Sequence, residues 1–381
     1  MLEACRNLHL HNPFATWEER WFFPIIVGVG AFAISLFLYF PPLWLWPDGV
    51  ISERFEEYWR LSQDLFARDI PTTFLGFRLV YPFLGKVLFL SKPLMLALPP
   101  LFAVATLSVV YIAMTRVATA PIALFITLLT ALNGGFQFSN ARWGIPDSIT
   151  YLSIAVSLLT KHPLLIFIST LIGGMNDDRL VLALPFVYLW HFNSDHRQSV
   201  SWLGGVAAGL LILAVVHYSL STGLIGPGIQ EANEYNKLAS SIMNLRFSPY
   251  DNDWRGWVFN VIGTFRVAWL LPFLAIIVLT KNRQYINTFL YFLFCVGIIF
   301  LSLFVGDTSR NIAFAFPMLL VAVADLARKA APSFTNQAVI WILLACVAMP
   351  GYMYGGQNDQ FILIYYPLPL VLVRTFLWTT G

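Results

Sequence analysis

Residues 20–48 read RWFFPIIVGVGAFAISLFLYFPPLWLWPD, and nothing charged lies between Arg20 and Asp48. About 20 apolar residues suffice to cross the roughly 30 Å hydrocarbon core of a bilayer. The stretch therefore reads as a membrane span. It closes on an aromatic belt, Trp44-Leu45-Trp46, which leads straight into the Asp48 carboxylate. Glu3, Glu18 and Glu19 precede it, so the start of the chain does not read as a cleavable signal and the span is expected to stay.

The same signal recurs at 93–115, 117–141, 148–160, 163–176, 180–194, 198–230, 256–280 (interrupted by Arg266), 284–306, 311–324, 330–358 and 360–373. Several of these runs are too short for a full crossing, so the expected count is about 12 helices, within 10–12. Composition agrees. Only 11% of the 381 residues are charged, against about 25% in soluble domains. A soluble enzyme, a nucleic-acid binder and a disordered chain are all excluded. The expected fold is an all-α, polytopic integral membrane protein. Residues 1–20 would be a cytoplasmic N-terminal segment and 21–378 a single transmembrane domain. Its large outer loops would lie at 46–92 and 221–256.

With a cytoplasmic N-terminus, alternation puts ten Lys/Arg and five acids on the inner side, leaving 13 and 15 outside. That follows the positive-inside tendency. The chain contains no Asn-X-Ser/Thr sequon and no CxxC pair among Cys5, Cys295 and Cys346. A bacterial inner membrane is the expected home. On this topology the unusual polar clusters share the outer face, whereas the inner loops are short and plain.

Within the first outer loop, residues 52–69 (SERFEEYWRLSQDLFARD) have an apolar side at Phe55, Tyr58, Trp59, Leu61, Leu65 and Phe66. That spacing predicts an amphipathic helix on the membrane surface, either a lid or an inert interfacial hairpin. Asp48 is a candidate general base, or else the acid of a Pro-Asp-Gly turn; Glu53 is its rival. The segment Asn176-Asp177-Asp178-Arg179 lies between apolar runs of 14 and 15 residues. Each run covers only about 21 Å as helix. Its charges would then face a polar pocket, or form a salt bridge at a re-entrant tip. Asp307 suits the dipole of a following helix, but Arg310 in the same turn does not. A phosphate ligand would explain that arginine, since guanidinium forks onto phosphate oxygens. Arg78, Arg142 and Arg179 occupy similar span mouths, and four arginines on one face point to an anionic ligand. No zinc-ligand pairing is found among the six His. Carboxylates alone could hold Mg²⁺ or Mn²⁺.

Together these pieces resemble the GT-C superfamily of polytopic glycosyltransferases. The likeness rests on the acidic first outer loop with FRLVYPFLGK, on Arg142-Trp143-Gly144-Ile145-Pro146-Asp147, on Asp177-Asp178-Arg179 before Leu184-Pro185, and on Asp307-Thr308-Ser309-Arg310 before Phe316-Pro317. The resemblance implies a polyprenyl-phosphate-linked sugar donor, a glycan, lipid or protein acceptor, and inverting transfer at the outer face. Asp48 or Glu53 would be the base. Arg78, Arg142, Asp147, Asp177, Asp178, Arg179, Asp307 and Arg310 would bind substrate. The acid–Tyr spacing around Asp48 departs from the family pattern, and no mannosyltransferase-type His/Asp/Glu pair is found. A transporter or flippase for a lipid-linked or anionic solute, or a lipid-linked polysaccharide polymerase, is the alternative reading.

Overall fold

The computed structural model describes residues 17–39, 52, 54–66, 77–193, 196–225, 254–303, 308–355 and 360–367, with a few isolated positions beyond. Asp48, Glu53 and Asp307 lie outside the described residues. So do the surroundings of Asp48 and most of the loop at 221–256.

The described chain is predominantly helical. In order it forms α1 (Trp17–Leu38), α2 (Arg54–Gln63), α3 (Val80–Val87), α4 (Lys92–Thr115), α5 (Ala120–Ala131), α6 (Gly134–Ala141), α7 (Asp147–Leu159) and α8 (Pro163–Asn176). A 3₁₀ turn, Asp178–Leu182, leads to α9 (Leu184–Phe192) and α10 (His196–Thr222). After α11 (Trp254–Phe265) comes another 3₁₀ turn, Arg266–Trp269. It is followed by α12 (Leu270–Lys281), α13 (Tyr285–Ser302), α14 (Thr308–Ala313), α15 (Pro317–Lys329) and α16 (Pro332–Ala348).

Five of these stretches are long and apolar enough to cross a membrane, or six if the bent pair α5–α6 counts as one span. That is fewer than the 12 expected from charge-free runs. The count covers the described residues, and among these part of the difference is geometric. Helices α7 and α8 have only 13 and 14 residues, about 20 Å of rise each. The α5–α6 pair bends by 64° at its break. An uninterrupted apolar run is therefore not always a crossing.

The all-α expectation agrees with this predominantly helical chain, which carries one small hairpin besides. Residues at the end of the 330–358 run and the start of the 360–373 run pair as antiparallel strands β1 (Gly351–Gly355) and β2 (Gln360–Tyr365). Aromatic and β-branched side chains favour strands. The helix before them stops at Ala348, just ahead of Pro350, where a proline disfavours helical geometry in the residue before it.

One continuous core runs from α1 to α16. The stretch Thr308–Lys329, α14 with α15, is its axis, with 94% of its apolar window buried; the corresponding figure for α13 is 22%. Phe289, Phe292, Val296 and Phe300 lie exposed on α13. Such apolar outer faces suit a chain embedded in a bilayer. The amphipathic helix expected at 52–69 forms as the shorter α2. It buries Phe55, Tyr58 and Leu61 with Tyr81, Met95 and Ile149 in a satellite core.

Candidate functional site

The site begins with a turn. Gly144 has φ +89°, and a Cβ there would lie 2.6 Å from that of Phe55. Only glycine fits both the left-handed backbone and the close approach of α2. The turn delivers Asp147 to the first turn of α7, where its charge suits the helix dipole. A second close approach seats the partner helix. A Cβ on Gly135 would fall 2.5 Å from that of Ala313 and 2.7 Å from the Ser309 carbonyl oxygen. Helices α6 and α14 therefore touch almost backbone to backbone, and α14 presents Arg310 to Asp147.

The contact is dense. Arg310 donates from Nε to Asp147 Oδ2 at 3.0 Å, and from Nη2 to Oδ1 and Oδ2 at 2.9 and 2.8 Å. Ser139 Oγ of α6 donates to Oδ2 at 2.7 Å. Arg179 Nη2 reaches Oδ1 at 3.3 Å. Asp147 is 1% exposed and Arg310 only 4%.

The second carboxylate comes from the elbow between α8 and α9. Asp177 adopts an extended backbone that ends α8, and its Oδ1 accepts the Arg179 backbone N–H at 3.1 Å. The same oxygen accepts from Arg179 Nε at 2.7 Å, while Arg179 Nη2 lies 2.5 Å from Oδ2. Arg78, just before α3, adds Nη1 to Oδ2 at 3.1 Å. Leu79 N–H donates to the Met175 carbonyl at 3.1 Å and ties this strap to the end of α8. Asn176 Nδ2 donates to the Pro146 carbonyl and to Thr150 Oγ1, both at 2.9 Å, which locks the elbow to the start of α7. Arg78 also donates a hydrogen bond to the Tyr58 hydroxyl of α2.

Asp177 lies in the elbow, outside the spanning segments. Burial alone would raise its pKa, but the Arg179 and Arg78 guanidiniums and the hydrogen bond from Arg179 reverse this and hold it well below the usual carboxylate range. The elbow thus holds a salt bridge that extends into a network. Arg179 also passes a hydrogen bond from Nη1 to Asn311 Oδ1 at 3.3 Å and lies over the Phe314 ring at 4.7 Å. On the far side, Tyr151 stacks on Phe314 at 4.6 Å. The Tyr151 hydroxyl and Asn311 Nδ2 are buried without a hydrogen-bond partner among the described residues.

Of the positions singled out by sequence, the fold gathers Arg78, Asp147, Asp177, Arg179 and Arg310. It leaves two apart. Arg142 is exposed and lies 5.2 Å from the Phe138 ring, and Asp178 is exposed on the side of His217. Asn176 joins them from the elbow segment, while Tyr58, Ser139, Tyr151 and Asn311 also border the cluster without having been expected there. Asn311 is the neighbour of Arg310, and Tyr151 lies one helical turn after Asp147. Adjacency and i+4 spacing were thus the only hints.

The gathered residues do not suit Mg²⁺ or Mn²⁺, because both carboxylates already face guanidiniums. Among the described residues no group of three or more His, Cys, Asp or Glu is placed to hold a metal. Three guanidiniums lie beside two carboxylates, and the Tyr151 hydroxyl and Asn311 Nδ2 nearby are donors with no partner among the described residues. Comparison of the chain with models of protein families, with curated proteins and with solved structures found no match.

Proposed function

We propose that this chain is a membrane glycosyltransferase that moves a sugar from a polyprenyl-phosphate-linked donor to an acceptor on the outer face of a bacterial inner membrane. One observation carries the reading. Arg78, Arg179 and Arg310 come from three separate segments and converge on Asp147 and Asp177 beneath the amphipathic helix α2. Preorganised guanidiniums stabilise charge that develops on a leaving phosphate, most strongly where water is excluded.

In this mechanism Asp48 or Glu53 takes the proton of the acceptor hydroxyl. The hydroxyl oxygen bonds to the anomeric carbon while the bond from that carbon to the phosphate oxygen breaks. A single displacement inverts the centre. The arginines receive the polyprenyl phosphate. Asp147 and Asp177 have a different part: bound to guanidiniums, they aim the arginines and do not serve as bases. The N-terminus is cytoplasmic in this orientation, and acceptor recognition falls to the outer loops.

The test starts with binding. The purified protein should be stabilised against heat by a polyprenyl phosphate and not by the matching polyprenol, and Arg179→Met should weaken that effect tenfold or more. Equal stabilisation by both lipids would remove the phosphate site from the reading. Asp48→Asn and Glu53→Gln variants that both transfer sugar at the wild-type rate would remove the base. Movement of the lipid between leaflets with no sugar transferred would favour the transporter.

A further inference from the structure

The turn between α3 and α4 presents an unusual residue. Phe89 is 93% exposed and has φ +51°, in the left-handed region that favours glycine. Its neighbours Val87 and Leu88 are also exposed, as is Phe83 one helical turn before Val87. Helix α3 is thus apolar on two sides. Tyr81, Pro82 and Gly85 are buried in the fold, with Tyr81 in the core shared with α2, and Phe83 and Val87 face outward. That φ belongs to the left-handed cap that ends α3, where Phe89 N–H donates to the Lys86 carbonyl at 3.2 Å and Leu90 N–H to that of Gly85 at 3.0 Å; the ring itself stands exposed at the tip of an outward apolar stripe.

We propose that this turn is a membrane anchor, with Phe89, Leu88, Val87 and Phe83 inserted among the lipids of the leaflet at that end of the protein. Three observations select lipid over a protein partner. Helix α4, a span by length and composition, begins at Lys92, so chain connectivity keeps Phe89 at the level where the span leaves the hydrocarbon. The outward stripe continues into the exposed Leu94 and Leu101 of that span. Lys86, exposed, and Lys92, half-buried, bracket the tip with cationic heads on apolar stems, as interfacial segments do. Lys92 also meets Glu56 of α2 at 2.6 Å, and Lys86 donates to the Gln63 carbonyl at 3.4 Å. The same lysines therefore tie the anchor to α2. Arg78 lies just before α3, so the anchor fixes the depth of the strap that reaches Asp177. The inference is independent of any transferase activity.

Spin labelling tests it. With Cys5, Cys295 and Cys346 replaced by Ala, a nitroxide is attached at Phe89→Cys, at Glu56→Cys on the polar side of α2, and at Phe292→Cys on the outer face of α13. The full chain is reconstituted in phosphatidylcholine vesicles with and without phosphatidylglycerol, and accessibility to oxygen and to a water-soluble nickel chelate is measured. The label at Phe89 should favour oxygen several-fold more than the one at Glu56 and approach Phe292. A ratio equal to that at Glu56 overturns the proposal by placing the tip in water. Shielding from both reagents overturns it in favour of a protein partner. If Phe89→Cys does not fold, Val87→Cys reads the same surface with the same criteria.

Discussion

Among the described residues, arginine is buried in two places and treated differently in each. Arg266, in the turn between α11 and α12, is 8% exposed and has φ +50°. Its Nη1 donates to the carbonyls of Cys346 at 2.9 Å and Met349 at 3.4 Å, its Nη2 donates to that of Leu132, and its guanidinium lies 3.7 Å over the Tyr365 ring. These carbonyls end α16 and α5, and a helix C-terminus carries about half a negative charge. Two helix ends and an aromatic face therefore meet one cation, and the result is a cap. Around Arg78, Arg179 and Arg310 the partners are carboxylates drawn from distant segments, with unpaired polar atoms alongside. Burial of an arginine does not by itself mark a ligand site.

The largest effect should come from the acid shared by two arginines. Asp147→Ala leaves Arg310 and Arg179 without their common acceptor and should cost about 3–5 kcal/mol, read as thermal unfolding in detergent. A loss below 1 kcal/mol would mean that the network is not closed as described. Next comes the cap. Arg266→Met should cost about 2–3 kcal/mol, because buried carbonyls at two helix ends lose their donor. It should leave the stabilisation by polyprenyl phosphate unchanged. If that stabilisation disappeared, the division between a structural and a ligand arginine would fall.

Gly135→Ala forces α6 away from α14 and should cost about 2 kcal/mol by overpacking. The same substitution sharpens the comparison, since it moves Arg310 and should weaken phosphate binding, which Arg266→Met does not. The smallest change is with pH. Asp177 is depressed in the folded state, so its contribution is present above the ordinary Asp value of about 4 and is lost as pH falls through the folded value. The difference in melting temperature between wild type and Asp177→Asn should stay constant from pH 8 to pH 5 and shrink only in stronger acid. A difference that collapses already at pH 6 would show that the guanidiniums do not hold the elbow.

The parts of the site legible in sequence were those whose position conflicts with their surroundings. Arg310 near a helix N-terminus and three charges between two short apolar runs both demand a partner, and both found one. Arg142 stood at a comparable span mouth, yet it C-caps α6 and lies over Phe138. Ser139 and Asn311 gave no signal, because a hydroxyl or amide in a helix is usually satisfied by its own turn. The span count went astray for a related reason: apolar runs record where charge is absent, and they do not record the 64° break after Ala131 or the strand pairing after Ala348.

The amino-acid order alone determined that this chain is built of apolar helices compatible with a bilayer, that α2 is amphipathic, and that arginines and acids gather between apolar runs. Those properties depend on the hydropathy and charge of neighbouring residues, which are local. Only the tertiary structure decided which arginine meets which acid. Asp147 and Arg310 are 163 positions apart, and their contact depends on Gly135 letting α6 and α14 touch and on Gly144 making the turn before Asp147. Pairing at that range is set by packing, and packing is not written in any one segment.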